Sequence, residues 1–305
     1  MRKVSTYKMA LTLLTATSLL AGCSGDDFNG NGNVNGNSNN ITFKTNVNNF
    51  ISKAATYDDD EALQTEGSFT CAAYEANTPY TFFEPTKVIW DSNEDKWKFA
   101  EDQYWKYASA LDFFAYMPAE KPAYISSISY STARQPQFVC TLPIDQSSTK
   151  EFVCALATDK TKANSSTGVS MEFKHHFARL RFAMSDASGD NVTINSVTIS
   201  GIKTTGTCTF DGTTSTWEPS GDNSSLTATA INGTTPYLVI PNTYAVDAIT
   251  ITVNATWTGI SNTTVNKTAT NNKTITWEPG YSYLFSLTLS GDILIVDTEK
   301  FTEQW

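Results

Sequence analysis

Between Val169 and Met184 apolar and polar side chains alternate strictly, and the alternation changes phase once. Val169, Met171, Phe173, His175 and Phe177 fall on one face. Ala178, Leu180, Phe182 and Met184 fall on the other, so the slip lies between Phe177 and Ala178. Side chains on a strand have a period of two, and a strand whose buried face switches must bulge, bend or cross from one sheet to another. Thr, Ser, Asn, Val, Ile and aromatic residues dominate the chain and good helix formers are sparse, which is the profile of an all-β extracellular protein.

Strand signals recur along the chain. Ile41, Phe43, Thr45 and Val47 alternate with polar residues. Val88-Ile89-Trp90, a polar turn at Asp91 to Asp95, and Trp97-Lys98-Phe99 read as strand, turn, strand. Beyond the phase change, Val192 to Ile202, Thr207 to Phe210, Tyr237 to Ile240, Ile249 to Trp257 and Tyr281 to Leu289 repeat at the spacing of a second sandwich. The Asn, Ser, Thr and Gly run from Ala163 to Gly168 is the best interdomain link, and the acidic stretch Asp58 to Glu61 reads as an exposed, cleavable loop containing Lys53-Ala54 on its N-terminal side. At the C-terminus Ile293-Leu294-Ile295-Val296 is apolar on both faces, and Phe301 and Trp305 continue one of them, so this strand needs cover on both sides.

The N-terminus fixes where the chain goes. Arg2, Lys3 and Lys8 precede a short apolar run from Met9 to Leu20, too short to span a membrane as a helix, and Leu19-Leu20-Ala21-Gly22-Cys23 resembles a bacterial lipobox. Cys23 is the candidate lipidated residue. Residues 1–22 are then a lipoprotein signal peptide, and the Gly- and Asn-rich residues 23–40 a flexible tether. Asp26-Asp27 resembles the acidic signal that sends lipoproteins of the Bacteroidales to the cell surface, and fits a solvated linker equally well. The net charge is −10, and removal of the signal takes away three further positive charges; such a protein is a poor ligand for nucleic acid or anionic lipid.

Catalytic signatures are missing. His175 and His176 are adjacent, so on a strand they point to opposite faces and cannot share one metal; structural histidines with backbone partners are expected. There is no Gly-rich phosphate loop, no G-x-S-x-G, no EF-hand spacing and no C-x-x-C. No enzyme activity, metal or cofactor is expected. Cys140 and Cys154 flank a hairpin read at Phe138 to Leu142 and Phe152 to Leu156, and either pair across it or remain buried thiols with Cys71 and Cys208.

Taken in order, these motifs resemble the fimbrillin family of the Bacteroidales, which includes Mfa-like pilins and fimbrial accessory lipoproteins. The resemblance spans nearly the whole exported chain. It rests on the lipobox with Asp26-Asp27, Ile41-Thr42-Phe43, Lys53-Ala54, Trp97, Tyr104-Trp105 and Leu111-Asp112-Phe113-Phe114-Ala115-Tyr116-Met117-Pro118. Phe173 to Leu180, Tyr237-Leu238-Val239-Ile240-Pro241, Pro279-Gly280-Tyr281-Ser282-Tyr283 and the final Trp305 complete it. It implies two transthyretin-like, Greek-key β-sandwich domains in tandem, at 41–168 and 169–305, and subunits assembled into a surface fimbria.

It further implies that a protease cuts between Lys53 and Ala54 and removes the first strand (Ile41, Phe43, Val47). The C-terminal segment 291–305 of another subunit, with Ile293, Leu294, Ile295, Val296, Phe301 and Trp305, then fills the groove. The family protease commonly cuts after arginine; Lys53 stands here, and Lys106 stands where a proline often follows the Tyr-Trp pair. The implied partners are other fimbrial subunits, the outer membrane through the lipid, and a host protein or glycan receptor. The competing expectation is a monomeric surface lipoprotein that binds glycans through exposed aromatics such as Trp90, Trp97 or Trp105.

Overall fold

The structure is a computed structural model that describes residues 39–47, 57, 59–78, 80–106, 109–130, 134–186, 192–257, 263–290 and 293–304. These residues are nearly all β, with a single short helix among them. In chain order the first half supplies β1 (Thr42–Val47), α1 (Asp60–Glu66), β2 (Ser68–Glu75), β3 (Thr81–Asp91), β4 (Lys96–Phe99) and β5 (Leu111–Met117). It continues with β6 (Ile125–Tyr130), β7 (Pro136–Thr141), β8 (Val153–Lys160) and β9 (Val169–His175).

A closed barrel runs β1-β4-β3-β2-β5-β8-β9. Its strands alternate as a one-sided sheet must: Phe43, Phe69, Trp97, Phe99, Phe113, Met171 and Phe173 point inward and are almost fully buried. Each such side chain contributes about 1.5–3 kcal/mol by leaving water. Two separate sheets were expected for this half, but β1 pairs with β9 and closes the barrel, which removes the free edges. The acidic stretch is also not simply a loop. The Asp59 carboxylate accepts a hydrogen bond from the Ala62 N–H at 2.8 Å and caps α1, and Gly67, at φ 76°, ends it.

The second half supplies β10 (Ala178–Asp186), β11 (Val192–Phe210), β12 (Ser215–Ala228), β13 (Tyr237–Val239), β14 (Asn242–Tyr244) and β15 (Thr250–Trp257). It ends with β16 (Thr263–Thr270), β17 (Ile275–Trp277), β18 (Tyr281–Ser290) and β19 (Ile293–Gln304). One sheet runs β13-β10-β18-β19, and a six-stranded one β16-β15-β11-β7-β6 with β12 beside β11; β14 and β17 form a small ribbon. Phe182, Val197, Ile199, Ile251, Val253, Phe285 and Leu287 fill the core of this half.

The phase change does what its period requires. β9 stays in the barrel, and the chain crosses at His176-Phe177 into β10 of the other sheet. Ala163 to Gly168, read as an interdomain link, instead turns β8 into β9 within one barrel, so the crossing comes about one strand later than the boundary at 168. The stretches Val192 to Ile202 and Thr207 to Phe210 are one continuous strand, β11, bent at Gly201. Up to Ser200 it pairs with β15; from Thr205 it pairs with β7. Gly201 has φ 88°, and a Cβ there would lie 2.2 Å from the Ala248 carbonyl oxygen, so only glycine fits the bend.

The sheet portion β6-β7-β11-β12 covers the outer face of β5 and β8. Phe114, Phe138, Phe152, Phe177, Phe210 and Trp217 pack there as a third core, which is why β5 is buried on both faces. Cys140, Cys154 and Cys208 sit in that core and Cys71 in the barrel, all four as free buried thiols. The expected hairpin between Cys140 and Cys154 does not form, because β7 joins β6 and β11 while β8 joins β5 and β9.

Candidate assembly site: the first strand and the last

β1 sits in a slot of the barrel. It runs antiparallel to β4 through two residue pairs, Thr42 with Lys98 and Phe43 with Trp97. It runs parallel to β9 through five, from Phe43 with Val169 to Val47 with Phe173. Ile41, Phe43 and Val47 are each 2% exposed. The Phe43 ring meets the rings of Phe69, Phe99 and Phe113 edge-on, with centroids 5.2–5.8 Å apart. The third inward position is polar for a reason: the Trp97 indole Nε1–H donates to Thr45 Oγ1 at 2.9 Å. Buried indole nitrogens need such an acceptor. Gly168 lets β9 start close beside β1, since a Cβ there would lie 3.1 Å from the Phe43 carbonyl carbon.

β19 lies at the edge of its own sheet, antiparallel to β18 along its whole length. Leu294 is 9% exposed and Val296 packs on the same core, whereas Ile295 is 53% exposed. Within its own subunit the strand is covered on the Leu294 and Val296 side, while Ile295 on the other side faces solvent. Lys300 lies over the Tyr281 ring, 4.0 Å from its centroid, and pairs with Glu278. A cleft of about 370 Å³, lined by Ile251, Ala269, Ile275, Phe285, Leu294 and Val296 among others, opens between β16 and β19.

Cys23, Lys53, Ala54, Trp305 and the side chains of Ile293 and Phe301 lie outside the described residues. Among the aromatics offered for glycan stacking, Trp97 is 1% and Trp105 9% exposed, and Trp90 packs partly buried against the barrel core. That expectation fails because the aromatics build the barrel interior; the large exposed rings among the described residues are Tyr80 and Tyr104.

The histidines point opposite ways, and Nδ1 of each meets a side chain. His175 Nδ1 lies 3.0 Å from the Glu151 carboxylate, and His176 Nδ1 2.7 Å from Ser215 Oγ. Burial, with a smaller contribution from His175, pushes the His176 pKa down to about 3. Among the described residues no three His, Cys, Asp or Glu side chains gather as a metal ion would need. Sequence reasoning missed one polar cluster altogether. The Asp112 carboxylate, 1% exposed, takes both Nε and a terminal nitrogen of Arg134, the Tyr130 hydroxyl at 3.1 Å and the Asp159 N–H at 2.9 Å. The Arg134 pKa is raised, chiefly by its hydrogen bond to Asp112. Asp112 sits at an outward strand position, and only the covering β6-β7 hairpin makes it buried.

The model of the fimbrillin-like family matches residues 39–305, from just before β1 to the end of the chain. The chain belongs to the fimbrillin-like family. Solved structures agree on the fold. A fimbrial protein from Bacteroides vulgatus superposes with a TM-score of 0.57 at 15% identity, over 86% of this chain and 99% of that one. A protein from Bacteroides uniformis assigned to cell adhesion gives 0.59 at 16% identity, over 87% and 98%. Another so assigned, from Bacteroides ovatus, gives 0.58 at 14%, over 87% and 97%. No curated protein sequence matches the chain. At these identities the likeness is one of fold, so what β1 and β19 do in this fimbrillin-like chain is argued from their own geometry.

Proposed function

We propose that this chain is a structural or accessory subunit of a surface fimbria, acting in adhesion, with subunits joined by strand exchange. The export signal anchors it by lipid at Cys23 to the outer membrane; cleavage between Lys53 and Ala54 then frees β1, and β19 of a neighbouring subunit takes the vacated slot. The observation that carries this reading is the contrast between the two terminal strands. β1 is deeply buried but tied to β4 by only two residue pairs, and β19 is an edge strand with the apolar Ile295 in solvent.

Loss of β1 uncovers the pockets of Ile41, Phe43 and Val47. At about 1.5–3 kcal/mol each, that is on the order of the whole stability of a domain, so the open barrel has a strong drive to capture a replacement strand. Backbone hydrogen bonds to β4 and β9 give the contact strength, and alternate pockets give it register. A head-to-tail contact of this kind does not close on itself and propagates as a filament. A catalytic role has no support from the residues gathered here.

A chain ending at Gly291 is expected to fold but to add to no filament; wild-type filaments from it would end the proposal. The N-terminal residue of the surface form separates the roles. Ala54 marks a polymerised subunit, and a lipid-modified Cys23 marks an anchor or accessory member that keeps β1.

A further inference from the structure

The outer face of β16, β15 and the first part of β11 carries no charge among its described residues. Between Val192 and Ile202, and again between Asn223 and Asn266, Asp247 is the only charged residue of the chain. It stands at one margin of the face, where its carboxylate accepts from Thr270 Oγ1 at 3.0 Å. β15 and β16 pair without a register shift, so that Thr250, Thr252, Asn254 and Thr256 face Thr, Thr, Asn and Thr in turn. Hydroxyls and amides tie these rows together. Asn254 Nδ2 donates to the amide oxygen of its partner on β16 at 2.7 Å, and Asn195 Nδ2 to Asn254 Oδ1 at 2.8 Å. On β11 and β12 the hydroxyls of Thr198 and Thr227 lie 3.1 Å apart. The rows fix one another's rotamers, so little side-chain freedom is left to lose when the face is covered.

A sheet face left to water ordinarily carries charges, which keep copies of a protein apart. The other outer faces follow that rule: Lys44 and Lys87 stand exposed on the barrel, and Asp297 and Glu299 on β19. A chain of net charge −10 repels its own copies, and a face of hydroxyls and amides is where two copies meet without opposing like charges. We infer that this face packs on the same face of a second copy in a neighbouring filament, so that fimbriae associate side by side. This rests on the fimbrial-subunit reading and adds to it the surface through which assembled fimbriae touch.

The size of the face decides the form of association. Three to four strands about 4.8 Å apart, each with eight residues at about 3.4 Å, cover on the order of 400 Å². That is about half of what a standard stable interface buries on each partner. Two free subunits therefore stay apart. A row of subunits along a filament presents the same contact many times, and the contacts then act together. The contact holds no ion pair, while the repulsion between acidic copies is screened by salt. Side-by-side association therefore strengthens as salt rises, the reverse of a charge-paired contact.

Beads coated densely with the exported chain, coupled at its N-terminus, reproduce the repeated display without a filament. Wild-type beads are expected to cluster, more completely as salt rises from roughly 0.01 to 0.1 M, while the chain in solution stays monomeric. Thr252 lies near the centre of the face, so Thr252→Glu beads and Thr252→Lys beads are each expected to stay dispersed, and to cluster when mixed together. Ser148→Glu, on an exposed loop, makes the same change in net charge as Thr252→Glu and should leave clustering at the wild-type level. Monomer melting should be the same in all of these. Wild-type beads that stay dispersed, clusters that dissolve as salt rises, or Thr252→Glu beads that cluster like wild type would each overturn the inference. Filaments on cells are read separately. Their absence would remove the fimbrial reading and leave the bead result standing, and filaments whose bundling Thr252→Glu does not change would overturn the inference alone.

Discussion

At the scale of residues, the constraints that matter most are steric and polar rather than hydrophobic. Gly201 bends β11 against the Ala248 carbonyl, so Gly201→Ala must displace backbone as well as accept a left-handed φ. A loss of about 2 kcal/mol or more is expected, read as a lower urea midpoint with unchanged slope. His176 is held neutral in the crossing, its ring edge-on to Phe138 and Phe210 and its backbone carbonyl accepting from Trp217 Nε1 at 2.7 Å. Its folded pKa of about 3 lies below the ordinary value of 6.5. The unfolded chain therefore binds the proton first. The contribution is complete above pH about 6.5 and is lost as the pH falls towards 3, by up to about 1.4 kcal/mol per pH unit. Unfolding measured across that range should show the slope in the wild type and a shallower one in His176→Phe.

At the scale of elements, β19 has two unlike faces. Leu294 lies on the core and Ile295 in solvent, so Leu294→Ala should cost about 2 kcal/mol or more and Ile295→Ala less than about 0.5. Equal costs in chemical denaturation would mean that the strand does not lie on β18 as described. The sequence shows both faces as apolar, which is all that alternation can report; which face its own sheet covers depends on β18 being the neighbour. β1 is the clearer case. Its pattern identifies Phe43 as buried and Thr45 as sharing its face, but not that Phe43 reaches rings from three other strands, nor that Thr45 serves Trp97 from 52 positions away.

At the scale of the whole molecule, the six-stranded sheet carries β6 and β7 of the first half beside β11 of the second and packs on the barrel through a common core. The Asp112–Arg134 cluster pins the β6-β7 hairpin across the barrel wall. Residues 39–305 form one compact unit. Removal of the guanidinium leaves a buried carboxylate without its charge partner, at a cost of about 3–5 kcal/mol. Arg134→Ala is expected to lower the melting temperature of the whole molecule in a single transition. Two separate transitions would show instead that the halves unfold independently and that the shared core couples them weakly.

The sequence by itself determined the all-β class, the inward face of β1, the change of buried face between Phe177 and Ala178 and the double-sided apolar end, because each is written in a period of two along a few consecutive residues. The tertiary structure alone decided that the first half closes as a barrel, that the phase change is a crossing between sheets, that Ala163 to Gly168 turns within the barrel and that Asp112 is buried. Those outcomes depend on which strand lies beside which. Alternation says which side of a strand seeks cover, but pairing between distant segments is set by how all the faces are satisfied together, and no local pattern carries that choice.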